Sequence, residues 1–331
     1  MRLEIGFRAV TEEYPPEELL KQVRAAEDAG FDFVTASDHF HPWFHTGAQS
    51  SQAWILLAAA ASVTRRVKLG TGVTSPFSRY HPGIVAQSFA TLHRISGGRA
   101  FLSVGTGEAM NEIPLGLNWP PYRERVEILR EAVQVIRMLW KGDFVSFNGR
   151  FFRLLNAKLY TRPDPPPRIH VAASGPKMAR VAGEIGDGLY TFPLPRGRLR
   201  AVLSSFEDGV RASGRIPEEV DRGVEFLVSY DVDYDAALRR IGRWRGTLIR
   251  EAFTGNICDP RVIQRKGEEL PLEAITERWV VCTDVEDCLP KIEEYIKLGF
   301  TRIEVHSSSP DQVEFARMFK QHIAYLKEEH K

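Results

Sequence analysis

Residues 31–76 read FDFVTASDHFHPWFHTGAQSSQAWILLAAAASVTRRVKLGTGVTSP, from Phe31 to Pro76. The stretch opens on a β-rich run, Phe31–Ala36, and ends on a second one, Val67–Gly72, followed by a turn. Between them the pattern from Gln52 to Val63 is helical. A strand–helix–strand step of this kind predicts two parallel strands joined by a right-handed crossover. The step repeats in both directions. Upstream lie the strand Leu3–Arg8 and a helix from Pro16 to Ala29 that stops at Gly30. Downstream come a helix over Pro82–Ile95, the strand Ala100–Val104 and a long helix over Tyr122–Trp140.

The rhythm breaks at FVSFNGRFFRL, Phe144–Leu154, which alternates around Asn148-Gly149. That is a hairpin signal, and it predicts a hairpin insertion over 143–156. The rhythm resumes with the strand Arg168–Ala173 and a helix from Pro176 to about Gly186. Three further strands follow, Leu189–Phe192, Val224–Tyr230 and Thr301–His306, and a helix from Asp311 toward Lys331 closes the chain. Residues 232–300 hold helix, Pro/Gly-rich turns and the short run Trp279–Cys282, and read as a helical insertion between strands seven and eight. Strand–helix alternation carried through eight strands predicts an α/β fold: a single (β/α)8 TIM barrel over 1–331, with a doubly wound sheet as the alternative.

Composition excludes several classes. The chain has 331 residues, 44 Lys+Arg and 43 Asp+Glu, for a net charge of +1. No global field draws it to nucleic acid or to an anionic membrane surface. The longest apolar run, Ala53–Ala61, is far short of the roughly 20 residues a membrane helix needs. The opening MRLEIGFRAV enters a strand pattern directly and shows no secretory signal. Cys258, Cys282 and Cys288 are odd in number and lack CxxC spacing. They read as reduced thiols of a cytoplasmic protein.

In a barrel of this type, the chemistry sits where strands end, at the C-terminal face. Reactive residues collect at four such points: Ser37–Trp43, Gly72–Pro76, Gly105–Asn111 and Ala173–Lys177. Asp38-His39 reads as a general base with a carboxylate beside it, or as a histidine capping a strand end. His39, His41 and His45 resemble metal ligands, but the other strand ends offer only Glu108 as a carboxylate partner, so no metal is expected. Glu108 is a general acid if burial raises its pKa, or an acid placed at a helix N-terminus. Gly105 and Gly107 begin a GxGxxG pattern that Met110 breaks. The run Ala173-Ser174-Gly175-Pro176-Lys177 offers free N–H groups to an anion, or is a loop with proline in the first helical turn. Trp43 either stacks on a flat ligand or is a buried aromatic.

The motifs SDHFHPW, LGTGVTSP, RYHPGIVAQSFATL, VGTGEAMNE and AASGPK, in this order, resemble the luciferase-like (β/α)8 superfamily. They are most similar to its branch that uses the deazaflavin coenzyme F-420 (F420), which includes glucose-6-phosphate dehydrogenases and secondary alcohol dehydrogenases. The resemblance runs from Ile5 to about Phe319. It implies that His39 accepts the alcohol proton with Asp38 in support. Trp43 would hold the reacting centre, and Glu108 would manage a proton near the deazaflavin. Gly72-Val73 would be a non-prolyl cis peptide behind the ring. Ser75, Gly107, Asn111 and the Ala173–Lys177 loop would line the coenzyme, that loop meeting its phosphate. The family's usual homodimer is implied as well.

The glucose-6-phosphate members grip their substrate with a lysine after strand six, a Lys-His pair in the insertion and an arginine before a tryptophan. Here Arg278 precedes Trp279, Arg196 stands as a replacement for the first lysine, and Thr254-Gly255 occupies the place of the pair. The stretch DHFHPWFHTGAQSSQAW is closer to the secondary alcohol dehydrogenases. The resemblance thus implies hydride transfer between a carbinol carbon and F420, on a small alcohol or sugar. A sugar-6-phosphate dehydrogenase is the alternative. An FMN-dependent luciferase-like monooxygenase, and a coenzyme-binding barrel without turnover, are the rivals.

Overall fold

A computed structural model describes residues 2–255 and 257–330. Its parallel strands are β1 (Glu4–Ala9), β2 (Phe33–Ala36), β3 (Lys68–Thr71), β4 (Leu102–Val104), β5 (Ile169–Ala172), β6 (Gly188–Thr191), β7 (Asp221–Tyr230) and β8 (Arg302–Ser307). They hydrogen-bond in the order β3-β2-β1-β8-β7-β6-β5-β4. Bridges from Leu69 to Ala100 and from Thr74 to Val104 close the ring between β3 and β4. The expected TIM barrel is therefore the fold. Helices α1 (Pro16–Ala29), α2 (Ala53–Val63), α3 (Pro82–Ile95), α4 (Tyr122–Trp140), α5 (Pro176–Ile185), α6 (Arg196–Ala212), α7 (Leu289–Leu298) and α8 (Gln312–Glu329) follow the strands in turn. Lys331, the expected end of the last helix, lies outside the described residues.

Local chemistry sets the boundaries. Proline opens α1, Glu17 and Glu18 sit in its first turn, and Gly30 ends it at φ 93°, a left-handed cap that glycine adopts without strain. Phe31 and Asp32 belong to that cap and the turn into β2, because the Phe31 N–H still bonds back to Ala26. At β7 the strand starts three residues before the expected Val224. Asp221, Arg222 and Gly223 lack an apolar pattern, yet Asp221 is held by His170 at 3.0 Å and Arg168 at 3.1 Å. The hairpin pairs Val145–Asn148 with Arg153–Ala157. Its loop is longer than a two-residue Asn-Gly turn, because the Glu131 carboxylate accepts the N–H groups of Arg150, Phe151 and Phe152.

The barrel interior is filled by large side chains set against glycines. Phe33 and Phe101 project inward from β2 and its counterpart before β4, and the Arg302 guanidinium lies 4.1 Å and 4.9 Å from their ring centroids. Gly6 and Gly70 leave the space for those rings: a Cβ at either would strike Phe33 or Phe101. Residues 231–288 carry three short helices and the strand Trp279–Cys282. That strand pairs with Leu227–Tyr230 of β7, beyond Asp221–Val224, which pair with β6. A second apolar cluster, with Trp43, Phe44, Leu227, Trp244, Ile263 and Trp279, fastens this segment over the barrel mouth.

Overpacking a filled core costs about 1–3 kcal/mol. Gly6→Ala should lower stability by about that amount in thermal unfolding, and adding Phe33→Leu should recover part of the loss. Additive losses in the double variant would reject the Gly6–Phe33 coupling.

Candidate active site

All eight strands deliver residues to one cavity of about 460 Å³ at the C-terminal mouth. Asp38, His39, Trp43, Gly72, Val73, Ser75, Gly107, Glu108, Asn111, Ala173, Ser174 and Arg278 border it, as the sequence reading placed them. The Gly72-Val73 peptide is cis.

His39 is nearly buried and stands between two carboxylates. Its Nε2 lies 3.4 Å from Glu12 Oε1, and its Nδ1 lies 3.6 Å from Glu108 Oε2. Asn111 decides the tautomer. Its Oδ1 accepts the Phe40 N–H at 2.8 Å, which turns its amide nitrogen toward His39 Nδ1 and Glu108, each at 3.3 Å. An amide N–H donates, so Nδ1 carries the lone pair, and the ring proton sits on Nε2 facing Glu12. The ring's lone pair is therefore on Nδ1.

Glu12 is the carboxylate on the Nε2 side of the ring. Burial works against its charge, but His39, Arg8 and the Ser37 hydroxyl hold its carboxyl below the usual range. Glu108 differs. Its side chain is 29 % exposed, and this exposure is to the cavity. The surrounding protein pushes its carboxyl up, against the pull of His39. Two acids thus flank one imidazole with opposite tendencies, the pattern that separates a charged partner from a proton carrier.

Asp38 departs from its expected role. Its carboxylate turns away from His39 and accepts hydrogen bonds from the Thr74 hydroxyl at 2.6 Å, the Tyr80 hydroxyl at 3.1 Å and Arg79 Nη2 at 3.3 Å. It braces the loops after β2 and β3, and Glu12 takes the place assigned to it. Arg196 is the second correction. It is the exposed first residue of α6 and does not reach the cavity. Arg198 borders the cavity instead, with its Nε donating to the Ser174 carbonyl at 3.1 Å. Gly175, Pro176 and Lys177 head α5 and stand outside the lining.

Beneath the cavity lies a charged cluster that the sequence reading missed. Arg8 Nη1 donates to Glu304 Oε1 and the Tyr190 hydroxyl, both at 2.9 Å, and pairs with Glu225 at 3.1 Å. Its Nη2 donates to the Gly72 carbonyl at 2.6 Å. Burial opposes Arg8's charge, but Tyr190, Glu225 and Glu304 hold its pKa well above the ordinary value. His306 Nδ1 meets Glu225 at 3.1 Å. Trp244, Phe253 and Trp279 join Trp43 in the cavity wall, the Trp43 and Phe253 rings 5.0 Å apart. The available signal was charge inside strands: Arg8, Glu225, Glu304 and His306 interrupt runs that a barrel otherwise keeps apolar.

Fold and site together define a (β/α)8 barrel enzyme whose carboxylates, imidazole and glycine-rich loops share one mouth. The chain belongs to the luciferase-like family: the model described as Luciferase-like monooxygenase matches residues 4–302. A relative from Beutenbergia cavernae, named F420-dependent glucose-6-phosphate dehydrogenase, is 40 % identical over 324 residues, 97 % of this chain and 96 % of the relative. A protein of the same name from Nakamurella multipartita is 39 % identical over 323 residues, 97 % and 95 % of the two chains. A solved F420-dependent secondary alcohol dehydrogenase in complex with an F420-acetone adduct superposes with a TM-score of 0.93. It is 38 % identical and covers 97 % of this chain and 98 % of its own.

Glu112 yields a pH prediction. It is fully buried, its Oε2 accepts the Arg79 N–H at 3.0 Å, and its Oε1 stands 3.6 Å from Arg79 Nε. Burial pushes its carboxyl up to about 7, against the pull of Arg79. An unfolded glutamate titrates near 4.3, so the native state holds a proton that the unfolded chain has released, and stability falls as pH rises through that window. Glu112→Gln should stabilise by about 1–3 kcal/mol at pH 8 and by almost nothing at pH 4. Thermal unfolding at both pH values checks this, and an equal effect at both would reject it.

Proposed function

We propose that this chain is an F420-dependent dehydrogenase, moving a hydride between a carbinol carbon and the deazaflavin. The observation that carries the reading is the pairing of His39, backed by the charged Glu12, with a bare floor in the same cavity. The residues present fit a flat heteroaromatic coenzyme. Gly72-Val73, Gly105–Gly107 and Ala173-Ser174 form the floor, packed so closely that a Cβ on Gly105 or Gly107 would strike Val73 or Ser75. The floor therefore presents backbone to the cavity. Ser75 Oγ is buried among them and has no partner among the described residues, as a group awaiting a ligand atom would be. When bound, the coenzyme supplies a two-electron hydride acceptor, while the protein supplies orientation and proton handling.

His39 Nδ1 takes the proton of the substrate hydroxyl. In the free site that nitrogen accepts the Asn111 amide N–H at 3.3 Å, a long bond that the substrate hydroxyl replaces when it donates to Nδ1. Glu12, held ionised, stabilises the imidazolium that forms. Glu108, with its raised carboxyl, donates or holds a proton at the cavity face. Trp43 fixes the wall against which the reacting carbon rests.

Two features bear on the substrate. The wall of Trp43, Leu227, Trp244, Phe253 and Trp279 is apolar and suits a small secondary alcohol. Arg198 and Arg278 border the same cavity without a carboxylate salt-bridge partner among the described residues, and this favours a sugar phosphate as the second reading. At the place of the family's Lys-His pair, Gly255 has φ 92° and packs against Trp119 and Ile113. A larger residue there would be strained, so an anion would be met by the two arginines alone. The proposal takes the enzyme as a cytoplasmic homodimer; its free cysteines suit a reducing compartment.

The test is loss of F420 absorbance with isopropanol and with glucose 6-phosphate. His39→Ala should abolish bleaching with every substrate while coenzyme binding, read by deazaflavin fluorescence, survives. Retained turnover would sink the base assignment. If the sugar phosphate is a substrate, Arg198→Ala should raise its KM about tenfold or more, whereas Arg196→Ala should change it less than twofold. The reverse order would restore Arg196 to the site.

A further inference from the structure

His39 and Asn111 come from two different loops, those after β2 and β4, and the tautomer at His39 depends on how the two loops are held together. Part of the hold is local. The Ser50 hydroxyl donates to the His39 carbonyl at 2.9 Å, and the N–H of Phe40 donates to Asn111 Oδ1 at 2.8 Å. A third grip comes from the loop after β3. Arg79 Nη2 donates to the Asp38 carbonyl at 3.1 Å and to Asp38 Oδ1 at 3.3 Å. That carbonyl belongs to the peptide that carries the His39 N–H. Arg79 also reaches the other loop. Its backbone N–H donates to Glu112 Oε2 at 3.0 Å, and its Nε stands 3.6 Å from Glu112 Oε1. Glu112 directly follows Asn111. The Arg79 side chain is 9 % exposed, and its guanidinium lies 4.7 Å over the Tyr80 ring.

Neutralising Asp38 does not account for this placement. The Thr74 and Tyr80 hydroxyls already meet that carboxylate. What Arg79 adds is a hold on the backbone before His39 and on the residue after Asn111. The chain bends to supply it: Ser78 sits at φ 59°, in the left-handed region, which a serine keeps only where its surroundings impose it. The bond that this arrangement protects is a weak one. The Asn111 amide reaches His39 Nδ1 at 3.3 Å, so a shift of a few tenths of an ångström between the loops would lose it. We propose that Arg79 is a positioning residue for His39: by tying Asp38-His39 to Asn111-Glu112, it keeps the Asn111 amide against Nδ1 and so keeps the lone pair on that nitrogen until a substrate hydroxyl arrives. The tautomer follows from the geometry alone; the catalytic consequence deepens the dehydrogenase reading and rests on it.

The experiment compares the unmodified protein with Arg79→Lys, Arg79→Gln and Arg79→Ala, each first checked by thermal unfolding. Nitrogen-15 NMR of histidine-labelled protein without F420, at pH about 8, where an ordinary imidazole is neutral, reads the tautomer. The His39 signals are those lost in His39→Ala. The unmodified protein should show one His39 tautomer, with the proton on Nε2, and Arg79→Gln should show a mixture. Turnover is read as F420 reduction with whichever of isopropanol and glucose 6-phosphate the unmodified enzyme oxidises. In Arg79→Gln kcat should fall about 100-fold, the cost of a misplaced catalytic group. KM, and F420 affinity by deazaflavin fluorescence, should change by less than about threefold. Arg79→Lys keeps the charge and a donor and should fall between the two. Guanidinium chloride below denaturing concentrations should restore turnover to Arg79→Ala, and sodium chloride at the same ionic strength should not. A single, unchanged His39 tautomer in Arg79→Gln would overturn the proposal. So would a loss of F420 affinity in step with kcat, which would make Arg79 a ligand of the coenzyme. If no alcohol reduces F420 in the unmodified protein, the dehydrogenase reading falls, and the tautomer measurement still decides the role of Arg79.

Discussion

The structure depends on the placement of one guanidinium. Arg8 lies inside the barrel, where removing its charge from water costs several kcal/mol unless every partner is in place. Its partners come from β6, β7, β8 and the end of β3. A single side chain therefore ties the interior faces of five strands to one point. That point is the carbonyl of Gly72, in the floor of the cavity, so the stability of the barrel and the position of the ligand surface share one interaction. Glu12 and Glu225 both feel the same charge, which links the surroundings of His39 electrostatically to those of His306.

Above this layer, the barrel and its extra segment divide the work. The strand ends from β1 to β5 supply Glu12, His39, Glu108 and the glycine-rich loops. The 231–288 segment supplies Trp244, Thr247, Phe253, Arg278 and Trp279 to the same cavity. It is held in place by an apolar cluster of its own and by four residues of pairing on β7. The geometry of His39 needs none of it: the partners of that ring, Glu12, Glu108 and Asn111, all sit on loops of the barrel itself.

Much of the fold was legible because alternation of strand and helix is a periodic signal that composition does not hide. The four reactive loops were legible because barrel topology brings every strand end to one face. The failures have physical causes. Asp38 and His39 are adjacent in sequence, and on an extended chain adjacent side chains point to opposite sides. The carboxylate beside His39 in the sequence is for that reason not the one beside it in space. Glu12 lies just past β1, and the same strand-end rule applied to the first strand would have found it. Arg196 and Arg198 differ by two positions on a helix, about 200° around its axis, so only one of them faces the cavity. The inward charges Arg8, Glu225 and Glu304 had a signal, but their pairing depends on a register that only the closed barrel defines.

The short strand Trp279–Cys282 occupies an edge of β7 that β6 leaves free. An added strand anchored there can be lengthened, shortened or resculpted without disturbing the hydrogen-bond ring beneath it. Evolution can thus exchange the substrate of such an enzyme while its redox partner stays the same. The lineage can diversify by rewriting a roof over a foundation that Arg8 keeps from drifting.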